Sequence, residues 1–117
     1  MLQTLVELLS AECDVVGAVS DGLSAVAEAE HLEPDLLVLD IAMPRLSGIA
    51  AATQLKARGS KARVVFVTNM RDHAFVEESL TLGHVGFVVK DRLLLDLLPA
   101  VQQVLDGRAF VSPSLLR

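Results

Sequence analysis

Three polar residues stand where three apolar runs end. Asp40 follows Leu36-Leu37-Val38-Leu39, Thr68 follows Val64-Val65-Phe66-Val67, and Lys90 follows Val85-Gly86-Phe87-Val88-Val89. A carboxylate, a hydroxyl and a long ammonium side chain together suit a phosphoryl group. The carboxylate is the nucleophile, while the hydroxyl and the ammonium stabilise charge on the oxygens of the transferred group. Taken singly, a polar strand-end residue is more often part of a turn than part of a site, so the chemistry depends on convergence.

Convergence depends on the elements that carry these residues. Each run is apolar at every position, without alternation, which marks a strand buried on both faces in a parallel sheet covered by helices. Neighbouring strands of such a sheet lie about 4.8 Å apart, and open α/β sheets bind ligands beyond their carboxyl edge. A fourth segment, Val15-Val16-Gly17-Ala18-Val19, is weaker, and its glycine suits an edge position.

Helical patterns separate the strands. Leu23, Val26 and Ala27 begin a narrow apolar series after Asp21, which Glu30 ends; Leu46 to Ala57 is alanine-rich and favours helix. Phe75, Val76, Ser79 and Leu80 follow Asp72, a plausible cap. Leu94, Leu97, Leu98, Val101 and Leu105 form a stripe that Pro99 should kink. Leu2, Leu5, Val6 and Leu9 make the chain open inside a helix. Strand and helix alternate throughout, which predicts right-handed βαβ units in one α/β, doubly wound parallel sheet.

Composition narrows the function classes. With 117 residues the chain is one domain, 52% hydrophobic and 21% charged. A net charge of −5 argues against general affinity for nucleic acid or anionic membrane, and the apolar runs are too short to span a bilayer. Trp and Tyr are absent, which disfavours base stacking. The one cysteine, Cys13, excludes an internal disulfide and reads as a small buried apolar group; His31, His73 and His84 lack metal-ligand spacing. No signal peptide opens the chain, so the cytoplasm is expected. Residues 107–117 read as the beginning of a linker or tail.

The stretch Asp40-Ile41-Ala42-Met43-Pro44-Arg45-Leu46-Ser47-Gly48 follows the pattern D-x-x-M-P-x-x-x-G. With Val64 to Thr68, Gly83 to Asp91, Asp14-Val15-Val16-Gly17 with Asp21-Gly22, and Leu98-Pro99-Ala100-Val101 with Asp106-Gly107, the chain resembles the receiver domains of two-component response regulators. It is most similar to the subfamily whose receivers usually precede a helix-turn-helix domain. The resemblance covers nearly the whole chain and implies a flavodoxin-like fold.

It also implies roles for individual residues. Asp40 matches the phosphoacceptor that receives a phosphoryl group from a histidine kinase. Thr68 matches the hydroxyl that binds this group, Lys90 the lysine that pairs with its oxygens, and Phe87 the switch aromatic. Pro44 and Gly48 shape the loop after the acceptor. Asn69 stands where the family mostly has a small residue, and is expected to narrow access to the crevice. Magnesium would be held by Asp40 and the backbone carbonyl of Ala42.

In the family the first strand ends in an acidic pair that also holds the metal. Here the resemblance begins within the first helix, which implies a sheet lacking its first strand and a weakened magnesium site. The gap would be met by a longer native chain, by the second strand moving to pair with the third, or, as expected if the 117-residue chain is stable, by a homo-oligomer. The alternative function is a pseudo-receiver that is not phosphorylated and acts through protein contacts. A phosphohydrolase would carry a second Asp at position 42, where Ala42 stands, so no enzyme is expected. The partners expected are a histidine kinase and a second copy, with no nucleic acid bound by this chain and no membrane.

Overall fold

The computed structural model describes residues 2–10, 21–41, 46–68 and 85–111. Four parallel strands form one sheet in the order β1-β2-β3-β4: β1 (Leu36–Asp40), β2 (Arg63–Thr68), β3 (Val85–Val89) and β4 (Phe110–Val111). The three strands expected from the apolar runs are present, and all ten residues from Val64 to Thr68 and Val85 to Val89 are buried. Burial on both faces is why these runs do not alternate. The β1 residues Leu36, Leu37 and Val38 are only partly buried. The short β4 strand was not expected; it pairs with Gly86 and Phe87 of β3, where the sequence reading placed the beginning of a tail.

The helices are α1 (Leu2–Ser10), α2 (Gly22–Leu32), α3 (Gly48–Ala57) and α4 (Leu93–Leu105). On one face of the sheet, Leu39, Phe66, Phe87 and Val89 pack with Ala25 of α2 and with Ile49 and Ala52 of α3. On the other, Val65, Val67 and Val88 pack under Leu93, Leu97, Ala100, Val101 and Val104 of α4, joined by Leu8 and Leu9 of α1. The fold is therefore the expected doubly wound, flavodoxin-like arrangement with helices on both faces. Among the described residues, no helix is long and apolar enough to cross a membrane.

Two helices bury only part of the face expected: Val26 of α2 and Leu97 and Val101 of α4 are buried as expected, and the other positions differ. In α2 the buried positions are Gly22, Ala25, Val26 and Ala29, while Leu23 is 51% exposed. Small residues face α3 because Ala51 and Leu55 pack closely against Val26 and Ala29. In α4 the buried stripe is Leu93, Asp96, Leu97, Ala100, Val101 and Val104, whereas Leu94 is 79% and Leu105 42% exposed. The helix continues through Pro99. A carboxylate within the buried stripe hides that stripe from a count of apolar spacing. Val15–Val19, Cys13, Asp72, His73, Phe75–Leu80 and His84 lie outside the described residues.

Candidate functional site

Register brings the strand ends together. Asp40 is the last residue of β1 and pairs with Val67; Thr68, one residue further along β2, pairs with Val89, the last residue of β3. Lys90 follows at once and opens a single 3-10 turn, Lys90–Arg92, that leads into α4. All three polar residues thus stand at the carboxyl edge of adjacent parallel strands, where such sheets offer a crevice.

The Lys90 ammonium donates a hydrogen bond to Oδ2 of Asp40 at 2.6 Å, and both side chains are 22% exposed. The pair is open to solvent along the edge, so an anionic donor can reach the carboxylate. Lys90 offsets its negative charge, which lowers the repulsion between carboxylate and phosphate. Thr68 is 1% exposed and lies on the same sheet face as Phe66, by the two-residue alternation of a strand.

Phe87 is buried at 1% exposure on that same face, with its ring centroid 5.6 Å from that of Phe66. Across the β2–β3 ladder, Phe87 pairs with Phe66 and Thr68 pairs with Val89, so Thr68 and Phe87 are diagonal neighbours.

Backbone contacts hold the chain around Asp40. The Ile41 N–H donates to Val67 O at 3.1 Å, extending the β1–β2 ladder, and the Gly48 N–H donates to Ile41 O at 3.0 Å. A methyl group on Gly48 would lie 3.0 Å from the Asp40 carbonyl carbon and closer still to its oxygen, so no larger residue fits this approach. Ser47 caps α3 by accepting from the Ala50 N–H at 3.2 Å. Ala42, Pro44 and Asn69 lie outside the described residues.

Magnesium prefers hard oxygen ligands and usually keeps several waters, with one or two carboxylates from the protein. Asp40, a partly exposed carboxylate at the crevice, fits as one such ligand. Among the described residues, no group of three or more His, Cys, Asp and Glu side chains could hold a metal ion.

Two features escaped the sequence reading. Arg92 donates to Asp96 through Nε at 2.8 Å and Nη2 at 3.3 Å, joining the turn that carries Lys90 to the buried stripe of α4. This hydrogen bond, more than the accompanying charge attraction, raises the Arg92 pKa above its ordinary value. The i, i+4 spacing of an Arg and an Asp was the available signal. The second feature is the close packing of Gly22 against the backbone of Leu46; the sequence reading gave Asp21-Gly22 only as part of the family resemblance.

Comparison with known proteins agrees with this geometry. The family described as "Response regulator receiver domain" matches residues 1–102. The transcriptional regulatory protein YxjL of Bacillus subtilis is 32% identical over 104 residues, covering 87% of this chain and 48% of that protein. The nitrate/nitrite response regulator protein NarL of Escherichia coli is 32% identical over 118 residues, covering 98% and 55%. The crystal structure of a LuxR-family two-component response regulator from Aurantimonas sp. SI85-9A1 superposes with a TM-score of 0.90 at 25% identity, covering 97% of this chain and 83% of that one. The chain spans about half the length of these curated relatives. A parallel sheet with an Asp–Lys pair at its carboxyl edge and a family match over most of its length lead to one assignment: the chain belongs to the response regulator receiver domains of two-component systems.

Proposed function

We propose that Asp40 is the residue phosphorylated in this receiver domain and that a histidine kinase supplies the phosphoryl group. A carboxylate oxygen of Asp40 attacks the phosphorus of a phosphohistidine. The new O–P bond forms as the N–P bond breaks, and the electron pair leaves with the imidazole nitrogen, which takes up a proton. The product is an acyl phosphate on Asp40. Magnesium, when bound, supplies charge neutralisation at the phosphoryl oxygens, held by Asp40 and by the Ala42 carbonyl expected beside it.

Before transfer, Lys90 holds the carboxylate through the hydrogen bond at 2.6 Å. Acylation removes the charge from Asp40, and the ammonium then pairs with the phosphoryl oxygens. Thr68 donates its hydroxyl proton to another of those oxygens. Because that hydroxyl begins buried on the face of Phe66 and Phe87, reaching the phosphoryl group moves it toward the sheet edge and frees space beside Phe87. Phosphorylation is thereby converted into a rearrangement of side chains on the Phe66–Phe87 face of the sheet. The names of the relatives point to transcription as the process controlled by a longer regulator containing such a domain.

The observation that carries this reading is the solvent-accessible Lys90–Asp40 pair at the carboxyl edge of the sheet. Incubation with an acyl-phosphate donor and magnesium, followed by intact-mass measurement, tests it. The wild type gains one phosphoryl group and Asp40→Asn gains none. An unmodified wild type would favour a receiver-like interaction module instead.

A further inference from the structure

Gly22 is the first residue of α2, and its packing is unlike that of an ordinary helix start. A methyl group built on it would lie 2.6 Å from both the carbonyl carbon and the Cβ of Leu46, and closer still to the carbonyl oxygen. Real Cβ atoms do not approach backbone this closely, so any side chain at position 22 forces movement. Leu46 lies in the connection between Asp40 and α3, two residues before Gly48.

The helix cannot provide that movement easily. Its first turn is fixed by the Asp21 cap, which accepts from the Ser24 N–H at 2.8 Å and from the Ser24 hydroxyl at 3.0 Å. Retreat of α2 would also unpack Val26 and Ala29 from Ala51 and Leu55 of α3. The connection after Asp40 is the other partner. Its ends are held by the Ile41 and Gly48 hydrogen bonds, and Gly48 touches the Asp40 carbonyl itself. Two glycines on different helices therefore grip one connection, Gly48 from the α3 side and Gly22 from the α2 side.

We infer that Gly22 is a positioning residue for phosphoryl transfer, setting the path of the connection that follows Asp40 through its backbone contact with Leu46. The inference rests on the assignment of Asp40 as phosphoacceptor. It assigns to α2, which contributes no side chain to the reaction, the task of fixing where the carboxylate and its loop stand. Misplacement by about 1 Å is enough to slow an oriented reaction by on the order of a hundredfold.

The test compares the wild type, Gly22→Ala and Val104→Ala, a core truncation on the opposite face of the sheet. Each is incubated with acetyl phosphate in magnesium buffer well below its melting temperature. In the reaction an Asp40 oxygen–phosphorus bond forms, the acetyl oxygen–phosphorus bond breaks, and acetate leaves with the electron pair. Phosphorylation of Gly22→Ala is expected to be slower by roughly ten- to a hundredfold, with amide resonances shifted from Asp40 to Gly48. Val104→Ala should melt earlier yet react at the wild-type rate. If Gly22→Ala does not fold, Asp21→Ala, which loosens the capped first turn that holds Gly22 against the Leu46 backbone, takes its place, and slower phosphorylation is again expected. Wild-type rates in the folded Gly22→Ala, or in Asp21→Ala where that replaces it, overturn the inference and leave the Asp40 assignment standing. A wild type that acquires no phosphoryl group overturns both.

Discussion

The ammonium of Lys90 and the carboxylate of Asp40, fifty residues apart in the chain, meet at 2.6 Å beyond the ends of β3 and β1. The strand between them, β2, is one residue wide at this edge and ends in Thr68. A long lysine side chain is what spans that strand.

Lys90→Ala separates the functional from the stabilising part of this contact. Partly exposed ion pairs contribute about 0.2–1 kcal/mol, so the melting temperature should fall by only a few degrees. Phosphorylation by a small donor should slow by at least about tenfold, since a charged group aimed at the transferred oxygens is lost. Thermal melts and intact-mass time courses on the same sample check both halves.

The orientation of α4 makes a paired prediction. Leu97 is 1% exposed beneath the helix, and Leu97→Ala should cost about 2–5 kcal/mol. Leu94 is 79% exposed, and Leu94→Ala should stay within about 0.5 kcal/mol of the wild type. Urea denaturation of the two variants distinguishes the observed face from the one that apolar spacing suggests.

Those two residues also show what could be read from sequence. The strands were legible because burial on both sides leaves an uninterrupted run such as Val64 to Val67, with one polar residue where the strand emerges. The face of α4 was not, because Asp96 occupies the buried stripe and is satisfied by Arg92, a partner outside any apolar count. Leu97 and Val101 lie on both the expected and the observed stripe, while Leu94 and Leu105 draw the apolar count toward solvent and away from Leu93, Ala100 and Val104. In α2 the inward residues are glycine, alanine and valine, selected for close approach to α3, and side-chain hydrophobicity says little about such an interface.

Of the site, Asp40, Thr68 and Lys90 were legible as strand ends, and the structure brings them to one edge. The burial of Thr68 was not, because it depends on which sheet face the residue takes. Gly22 could be assigned no task without knowing that the backbone of Leu46 lies against it. Two-residue β4 is too short to produce a pattern of its own.

The cap of α2 should be measurable independently. Asp21→Ala removes the acceptor for the Ser24 N–H and should cost about 0.5–2 kcal/mol. Chemical denaturation measures the loss, and Asp21→Ser should recover most of it. Full stability in Asp21→Ala would mean that the cap contributes nothing to the hold on Gly22.

Removal of divalent cations should abolish phosphorylation by a small donor. Without a metal, the Asp40 carboxylate and the incoming phosphate are opposed by charge, and one lysine does not neutralise both. Chelation with EDTA should stop the reaction and added magnesium should restore it. An unchanged rate in EDTA would assign all of the neutralisation to protein side chains.

The phosphoacceptor assignment is tested most directly by locating the modified atom. Borohydride reduces an acyl phosphate on aspartate to the alcohol of homoserine, while leaving free carboxylates intact. Peptide mapping of the phosphorylated, reduced chain should find homoserine at position 40 and aspartate at every other aspartate position. Homoserine at a different position, or a phosphoryl group retained on a hydroxyl or an imidazole with Asp40 unchanged, would contradict it.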